Sequence, residues 1–163
     1  MTGRLPLLRQ ISWYAVAPQI IALTSAIALA TYLLADAGLY VGGFLYLAYS
    51  SGSRQLIPRY HRRGIRLVRQ QQFDRAIPLF EKSLAFFDRN SWLDRYRSIV
   101  LMSASAISYR EMAMANIAFC HAQLGHGSNA RYWYERCLER YPDSALATTA
   151  LRMLDAGNDK AHA

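Results

Sequence analysis

The chain has 163 residues, 53% of them hydrophobic, and its 19 basic against 11 acidic residues give a net charge of +8. The apolar residues and the positive charge are each concentrated in one part of the chain. The longest apolar runs lie before residue 50, and residues 54–75 hold seven Arg and one Asp. Residues 76–163 hold ten basic and nine acidic residues. The charge therefore marks one segment and does not indicate a basic nucleic-acid-binding domain, so nucleic acid is an unlikely partner.

Two apolar runs near the N-terminus predict a membrane anchor over residues 1–57. Residues 13–34 carry no charge, and as a helix they would be about 33 Å long, enough to cross a hydrocarbon core of about 30 Å. A second run covers residues 39–49, and Asp36 and Gly38 lie between the two. We expect a transmembrane helical hairpin with helices at about 13–34 and 39–57, in which Asp36 meets water at the turn and Gly38 eases the reversal. Gly38-x-x-x-Gly42, with Gly43, is expected to let the two helices pack closely.

Other interpretations of this segment leave part of it unexplained or costly. A single span does not account for residues 39–49. One long span would place Asp36 near the middle of the bilayer, at a cost of about 2.5–3.5 kcal/mol. Cleavage of a signal peptide at the small-x-small sequence of residues 28–30 would leave residues 31–49 apolar and still in the membrane.

The placement of arginine predicts the orientation of the anchor. Two Arg precede the first run and seven follow the second, so the positive-inside rule places both termini in the cytoplasm. Because 17 of the 19 basic residues are Arg, a composition typical of GC-rich bacteria, we expect the inner membrane of a bacterium. Five of the arginines either contact anionic lipids or act only as a topology signal on a solvated helix face. These are Arg54, Arg59, Arg62, Arg63 and Arg66.

A first pair of helices follows Pro58. The first helix covers residues 59–70, and the second covers residues 73–87 after a turn at residues 71–72. Apolar or small residues recur at helical spacing on one face of each helix. They are Tyr60, Gly64, Leu67 and Val68 in the first helix, and Phe73, Ala76, Ile77, Phe80 and Leu84 in the second.

The sequence Ser91-x-x-Asp94 is typical of a capping box and predicts an additional helix over residues 91–102. Its apolar face holds Trp92, Leu93, Tyr96, Ile99 and Val100. We expect this face to fill the groove between the flanking helices, because a permanently exposed Trp92 and Tyr96 would favour self-association. Residues 103–107 read as a linker.

A second pair of helices begins at another capping box, Ser108-x-x-Glu111. The pair turns around Gly125 and ends at Pro142. The predicted inward residues are Met112, Ala115, Ile117, Ala118, Phe119 and Ala122, followed by Ala130, Trp133, Tyr134, Cys137 and Leu138. Residues 143–155, capped by Asp143 and Ser144, are predicted to form a final helix, and residues 157–163 a disordered tail.

Small and aromatic residues recur in a set order in these pairs. Ala118, Ala130-x-x-x-Tyr134 and Pro142 in the second pair resemble the tetratricopeptide-repeat (TPR) family, and Gly64 with Ala76-x-x-x-Phe80 repeats the pattern in the first. The equivalent alanines are 54 residues apart, whereas the family period is about 34. The resemblance implies an all-α fold in which a TPR-like domain, residues 58–156, follows the transmembrane hairpin. It comprises a repeat at 59–88, the inserted helix at 91–102, a repeat at 108–142 and a capping helix at 143–155.

No grouping of residues typical of catalysis, of a cofactor site or of a metal site occurs in the sequence, so we do not expect an enzyme. His121 and His126 are five residues apart, which is not the spacing that places two ligands on one helical face. Cys120 and Cys137 fall on apolar helix faces and are expected to be reduced packing residues. The resemblance implies binding of a protein or peptide, and hence a membrane-tethered interaction module. The alternative is a structural subunit of a membrane complex that uses the hairpin for its contacts.

Overall fold

The computed structural model describes residues 16–101, 105 and 107–161. The described residues form α-helices joined by turns, without a β-strand among them, which confirms the predicted all-α class. Contacts divide the chain into two units. The first comprises the described residues up to Ile57 together with Arg95–Ile107, and the second comprises Pro58–Asp94 and the described residues from Ser108 onward.

The first unit opens with two apolar helices. Helix α1 is Ala17–Leu34, a 3₁₀ turn covers Ala35–Ala37, and α2 is Gly38–Leu56. The stretch Ala17–Leu56 is, by length and composition, the one candidate membrane span among the described residues, with a mean hydropathy of 1.8 in its most apolar window. Only 6% of that window is buried. Signal sequences and the core helices of soluble proteins can have the same length and composition.

Glycines on α2 lie against the backbone of α1. A Cβ on Gly38 would collide with the backbone of Thr31, and a Cβ on Gly42 would lie 2.7 Å from Ile27 Cα. Gly38 was expected to ease a reversal of the chain, but its φ is −61°, whereas Ala35 adopts the positive φ of 47°. Gly38 is therefore needed for the close approach of the two helices, because any side chain there would meet backbone atoms.

The inserted segment differs from its prediction in form and in position. Two short helices replace the single helix at 91–102: α5 is Ser91–Arg95, and α6 is Arg97–Val100. Residue 102 of the predicted helix and residues 103, 104 and 106 of the predicted linker lie outside the described residues. Trp92 and Tyr96 are 54% and 53% exposed, so these two side chains do not fill a groove.

From Arg95 onward this segment belongs to the first unit. The Tyr49 hydroxyl of α2 donates a hydrogen bond to the Val100 carbonyl at 3.1 Å, and α6 also contacts α1. Leu101 is fully buried. The residues of α6, which were expected to pack into the groove of the flanking helices, thus contact the apolar helices near the N-terminus.

The second unit begins with α3, Arg59–Arg69, and α4, Phe73–Arg89. The buried residues of α3 are His61, Gly64 and Val68, which confirms Gly64 and Val68 of the predicted face. Tyr60 and Leu67 are half-buried, and the buried His61 was not predicted. Gly64 lets the fully buried ring of Phe80 approach α3 closely. A positive φ of 59° at Gln71 makes the turn between the two helices.

Three further helices complete the second unit. Helix α7 is Tyr109–Gln123, α8 is Gly127–Arg140 and α9 is Ala145–Ala161. The Ser108 hydroxyl accepts a hydrogen bond from the Glu111 N–H at 3.1 Å, and the Ser144 hydroxyl accepts one from the Ala147 N–H at 3.4 Å. Gly125 makes the α7–α8 turn with a φ of 77°.

Helix α7 packs against both α4 and α8, so its buried residues extend beyond the single predicted face. They are Ala113, Met114, Ile117, Ala118 and Cys120, whereas Met112, Ala115, Phe119 and Ala122 are half-buried. The tail predicted to be disordered at 157–163 is helical as far as Ala161, as a continuation of α9. Residues 162 and 163 lie outside the described residues.

The carboxylate of Asp94 joins the two parts of the second unit. It was expected to cap its own short helix; instead it accepts hydrogen bonds from the Tyr109 N–H at 2.9 Å, the Arg110 N–H at 3.4 Å and the Arg110 Nε–H at 2.9 Å. The Asp94 side chain is fully buried, and that of Arg110 is 20% exposed. Asp94 thus satisfies N–H groups at the start of α7, which would otherwise lack intrahelical partners.

Replacing Gly64 by Ala should destabilise the second unit. The new Cβ would lie 2.7 Å from the Phe80 ring, which is buried and cannot swing away. Overpacking typically costs about 1–3 kcal/mol and should exceed the helix-propensity gain of up to about 1 kcal/mol. Chemical denaturation of the full chain in detergent measures the change. Gly157→Ala is the control, because no atom lies within 4 Å of its new Cβ. An equal increase in the free energy of unfolding for both variants would contradict the close packing of Phe80 against Gly64.

Replacing Asp94 by Asn should weaken the start of α7. Asn keeps one acceptor but loses the charge that faces Arg110, so we expect a loss of about 1.5–3 kcal/mol in the free energy of unfolding. The exposed residue Asp143 provides the matched control, and Asp143→Asn should change stability by no more than about 0.5 kcal/mol. Equal denaturation midpoints for the two variants would show that the Asp94 contacts contribute nothing.

Candidate functional site

The second unit has a cleft of about 370 Å³ between α4, α7 and α8. Leu84 and Asp88 come from α4, one turn apart, and Met114 comes from α7. Helix α8 contributes Arg136, Glu139 and Arg140. The cleft exists because α4 and α8 both pack on α7, which leaves a depression above α7 between them.

The floor of the cleft is apolar. Leu84 is 8% exposed and Met114 is 1% exposed. A ligand would therefore contact little of either side chain unless the side chains of the floor moved. Methionine is unbranched and adapts to irregular partners more readily than other apolar side chains. Binding of an apolar group on this floor would therefore require Met114 to adopt another rotamer.

The rim of the cleft is charged with both signs. Arg140 and Asp88 form an ion pair at 2.7 Å that joins α8 to α4, and this hydrogen bond raises the pKa of Arg140. The guanidinium of Arg136 lies 5.1 Å from the centre of the Trp133 ring, an arrangement that holds its charge beside the cleft. Two arginines and two carboxylates at one edge suit recognition of a polar chain that carries charges of its own.

The predicted repeat-packing residues lie in the core and not in the cleft. The structure buries Gly64, Ala76, Phe80, Ala118, Ala130 and Tyr134. Gly125 lies in the α7–α8 turn, and Pro142 is exposed two residues beyond the end of α8. These residues set the spacing of the helices, whereas the cleft is formed by side chains one or two turns away from them.

The five candidate lipid-binding arginines are all exposed. Arg54 ends the first unit's α2, and its guanidinium lies 3.5 Å from Gln19 Oε1. The other four, Arg59, Arg62, Arg63 and Arg66, lie on the face of α3 opposite its buried residues, and Arg59 lies over the Tyr60 ring. Arg54 thus belongs to the first unit and the four α3 arginines belong to the second.

His61 is a buried titratable residue that the sequence interpretation missed. Its ring packs edge-on against Phe80 and Tyr109, with ring centres 5.3 and 5.6 Å apart, and Tyr109 also stacks on Phe87 at 4.8 Å. Among the described residues its Nδ1 has no hydrogen-bond partner. Burial lowers the pKa of His61 to about 4, so the ring is neutral near pH 7. The sequence did contain a signal for this burial: His61 lies three residues before Gly64 and therefore on the same face of the helix.

Within the described residues, His121, His126 and the two cysteines belong to no group that could hold a metal ion. The rings of His121 and His126 are 5.9 Å apart, and no group of three His, Cys, Asp or Glu in the described part of the chain could hold a metal ion. Cys120 and Cys137 are buried free thiols, as predicted. Burial raises the pKa of Cys120 to about 12 and that of Cys137 to about 11, which leaves neither as a reactive thiolate near pH 7.

Comparison with known proteins gave no relative. No protein-family model matches the chain, and neither the curated proteins nor the solved structures contain a match. The resemblance to TPR proteins therefore rests on this chain's own residues.

His61 should make the stability of the second unit depend on pH. The imidazole of His61 takes up a proton near pH 6.5 in the unfolded chain but only near pH 4 in the folded chain. The free energy of unfolding therefore falls as the pH drops through this window. The loss should reach about 3 kcal/mol. His61→Phe should remove most of this slope, and denaturation at several pH values measures it. The exposed residue His126 gives the control, and an unchanged slope in His61→Phe would refute the assignment.

Proposed function

We propose that the protein is a membrane-tethered protein–protein interaction module whose helical domain holds a protein or peptide segment at the cytoplasmic face of a bacterial inner membrane. The observation that carries this proposal is the cleft between α4, α7 and α8, with its apolar floor and charged rim. Clefts of this kind bind an apolar side chain and fix its orientation through a few polar groups. The cleft residues include neither a nucleophile beside a base nor a cofactor-binding motif.

The helical domain is proposed to be a degenerate TPR-like array. In support, α3 with α4 and α7 with α8 pack as successive pairs, and Ala76 and Ala130 are fully buried at the corresponding positions. Phe80 and Tyr134, four residues further on, are also buried. Met114 takes the position where the resembled family favours Trp, and this smaller side chain forms part of the cleft floor.

The tether is proposed to be a transmembrane hairpin formed by α1 and α2. Three contacts support opposite directions for the two helices: Gly38 lies against Thr31, Gly42 against Ile27 and, at the far end, Arg54 near Gln19. As the residue number rises along α2, the number of the α1 residue beside it falls, which is the order of an antiparallel pair. Asp36 would then lie at one end of the pair and Arg54 at the other, outside the hydrocarbon core in both cases.

A second candidate function is a structural subunit of a membrane complex. The observation that favours it is Gly43 of α2, whose added Cβ would meet no atom within 4 Å. A glycine on an open helix face permits another transmembrane helix to approach closely. In this case the hairpin, and not the cleft, would make the essential contacts.

Site-specific photo-crosslinking in carbonate-washed membranes distinguishes the two functions. A photoreactive residue at Glu139 samples the cleft rim, Tyr132 samples an exposed position elsewhere on α8, and Tyr40 samples α2. The interaction module predicts a partner adduct from position 139 that is absent from position 132. The structural subunit predicts an adduct from position 40 alone.

Charge reversal at the rim should reduce the adduct at position 139. Arg136→Glu should lower its yield about ten-fold, because a change of about 1.4 kcal/mol in binding corresponds to that factor. Arg152→Glu is the matched control at an exposed position on α9. Equal adduct yields for both variants would exclude the rim from partner binding, and loss of the protein from washed membranes would exclude the anchor.

A further inference from the structure

The short helix α6 is held by the two apolar helices. The Tyr49 hydroxyl donates to the Val100 carbonyl at 3.1 Å, α6 contacts α1, and the next residue, Leu101, is fully buried. Arg97 Nε donates to the Ser105 carbonyl at 3.0 Å, which fixes the other side of the segment. Residues 95–101 therefore have a defined position against α1 and α2.

That position is close to one end of the helix pair. Tyr49 lies five residues before Arg54, or about 7.5 Å along α2 at the α-helical rise. Arg54 in turn lies near Gln19, in the first turn of α1. Asp36, in the turn, marks the opposite end. Residues 95–101 thus lie beside the end where α2 finishes and α1 begins.

The side chains of this segment have the chemistry of a membrane interface. Tyr96 is 53% exposed, and Arg95 beside it is exposed, whereas Leu101 is buried on the inner side. Tyrosine is enriched at the boundary between hydrocarbon and headgroups because its ring is apolar and its hydroxyl is polar. A neighbouring guanidinium can meet the phosphate oxygens of the same layer.

We propose that residues 95–101 form an interfacial membrane element, in which Tyr96 enters the headgroup layer of the bilayer that α1 and α2 cross. This inference rests on the proposed hairpin. A bilayer is the partner that fits best, because the segment already lies along the apolar helices at the depth where their charged end meets the headgroups. Interfacial elements bury their apolar face about 5–10 Å into the boundary between headgroups and acyl chains. The hydrogen bond from Tyr49 attaches this segment, at Val100, about 7.5 Å before Arg54 along α2. The exposed Tyr96 thereby gains an apolar environment.

Fluorescence quenching in vesicles tests the depth of Tyr96. The full chain carrying Tyr96→Cys is labelled with an environment-sensitive dye and reconstituted into phosphatidylcholine–phosphatidylglycerol vesicles that contain nitroxide lipids. Cys120 and Cys137 are fully buried, so labelling is confined to the new thiol. Leu29→Cys reports the anchor, and Tyr132→Cys is the exposed control on α8.

We expect shallow nitroxides to quench the label at position 96, deep nitroxides to quench it less, and neither to quench the label at position 132. Quenching at position 29 without quenching at position 96 would overturn this inference and leave the anchor intact. Absence of quenching at both positions would overturn the anchor and, with it, this inference. Shielding of position 96 from aqueous iodide in native membranes but not in lipid vesicles would identify a protein partner. That result would also overturn the inference that Tyr96 enters the headgroup layer.

The hydrogen bond from Tyr49 supplies a second test. Tyr49→Phe should lower the ratio of docked to undocked segment about five-fold, the factor typical of one lost hydrogen bond, and so weaken shallow quenching at position 96. Quenching at position 29 should not change. Tyr40→Phe is the matched control, since Tyr40 is 78% exposed on the same helix. Equal quenching in the two variants would count against the proposed attachment.

Discussion

The buried carboxylate of Asp94 is the interaction on which the arrangement of the second unit depends. It binds the first two N–H groups of α7 and the Arg110 side chain across 15 or more residues of sequence. Burying a carboxylate is costly unless its charge is matched, and two backbone N–H groups together with the Arg110 guanidinium match it here. The chain can therefore leave the second unit after Asp94 and return at Ser108 with α7 correctly placed.

The position of α7 determines the aromatic cluster beneath it. Tyr109, whose N–H binds Asp94, stacks on Phe87 and meets His61 edge-on. Its ring thus joins α7 to both α3 and α4. His61 is enclosed by apolar and aromatic groups, which explains why its neutral form is favoured. The same placement of α7 puts Met114 between α4 and α8, where it forms the cleft floor.

Features that depend on neighbours in sequence could be predicted, and features that depend on distant neighbours could not. The Ser108 cap, the Gly125 turn and the inward positions of Ala76 and Ala130 follow from local spacing and backbone geometry. Asp94 was misinterpreted, because a carboxylate three residues after a serine suggests a local cap whatever its tertiary partner. None of the cleft's charged residues was predicted, since Asp88 and Arg140 come together only when α4 and α8 share α7.

If the helical domain is the proposed repeat array, the inserted segment accounts for its irregular period. Ala76 and Ala130 are 54 residues apart, about 20 more than the period of the family that the chain resembles. Contacts assign Arg95–Ile107 to the first unit, so most of the extra residues do not belong to the helical array. An insertion of this kind need not disturb the packing of the helices on either side, because Asp94 holds α7 where the chain returns. The long spacing is then a consequence of placing a segment of the helical domain's sequence on the apolar helices.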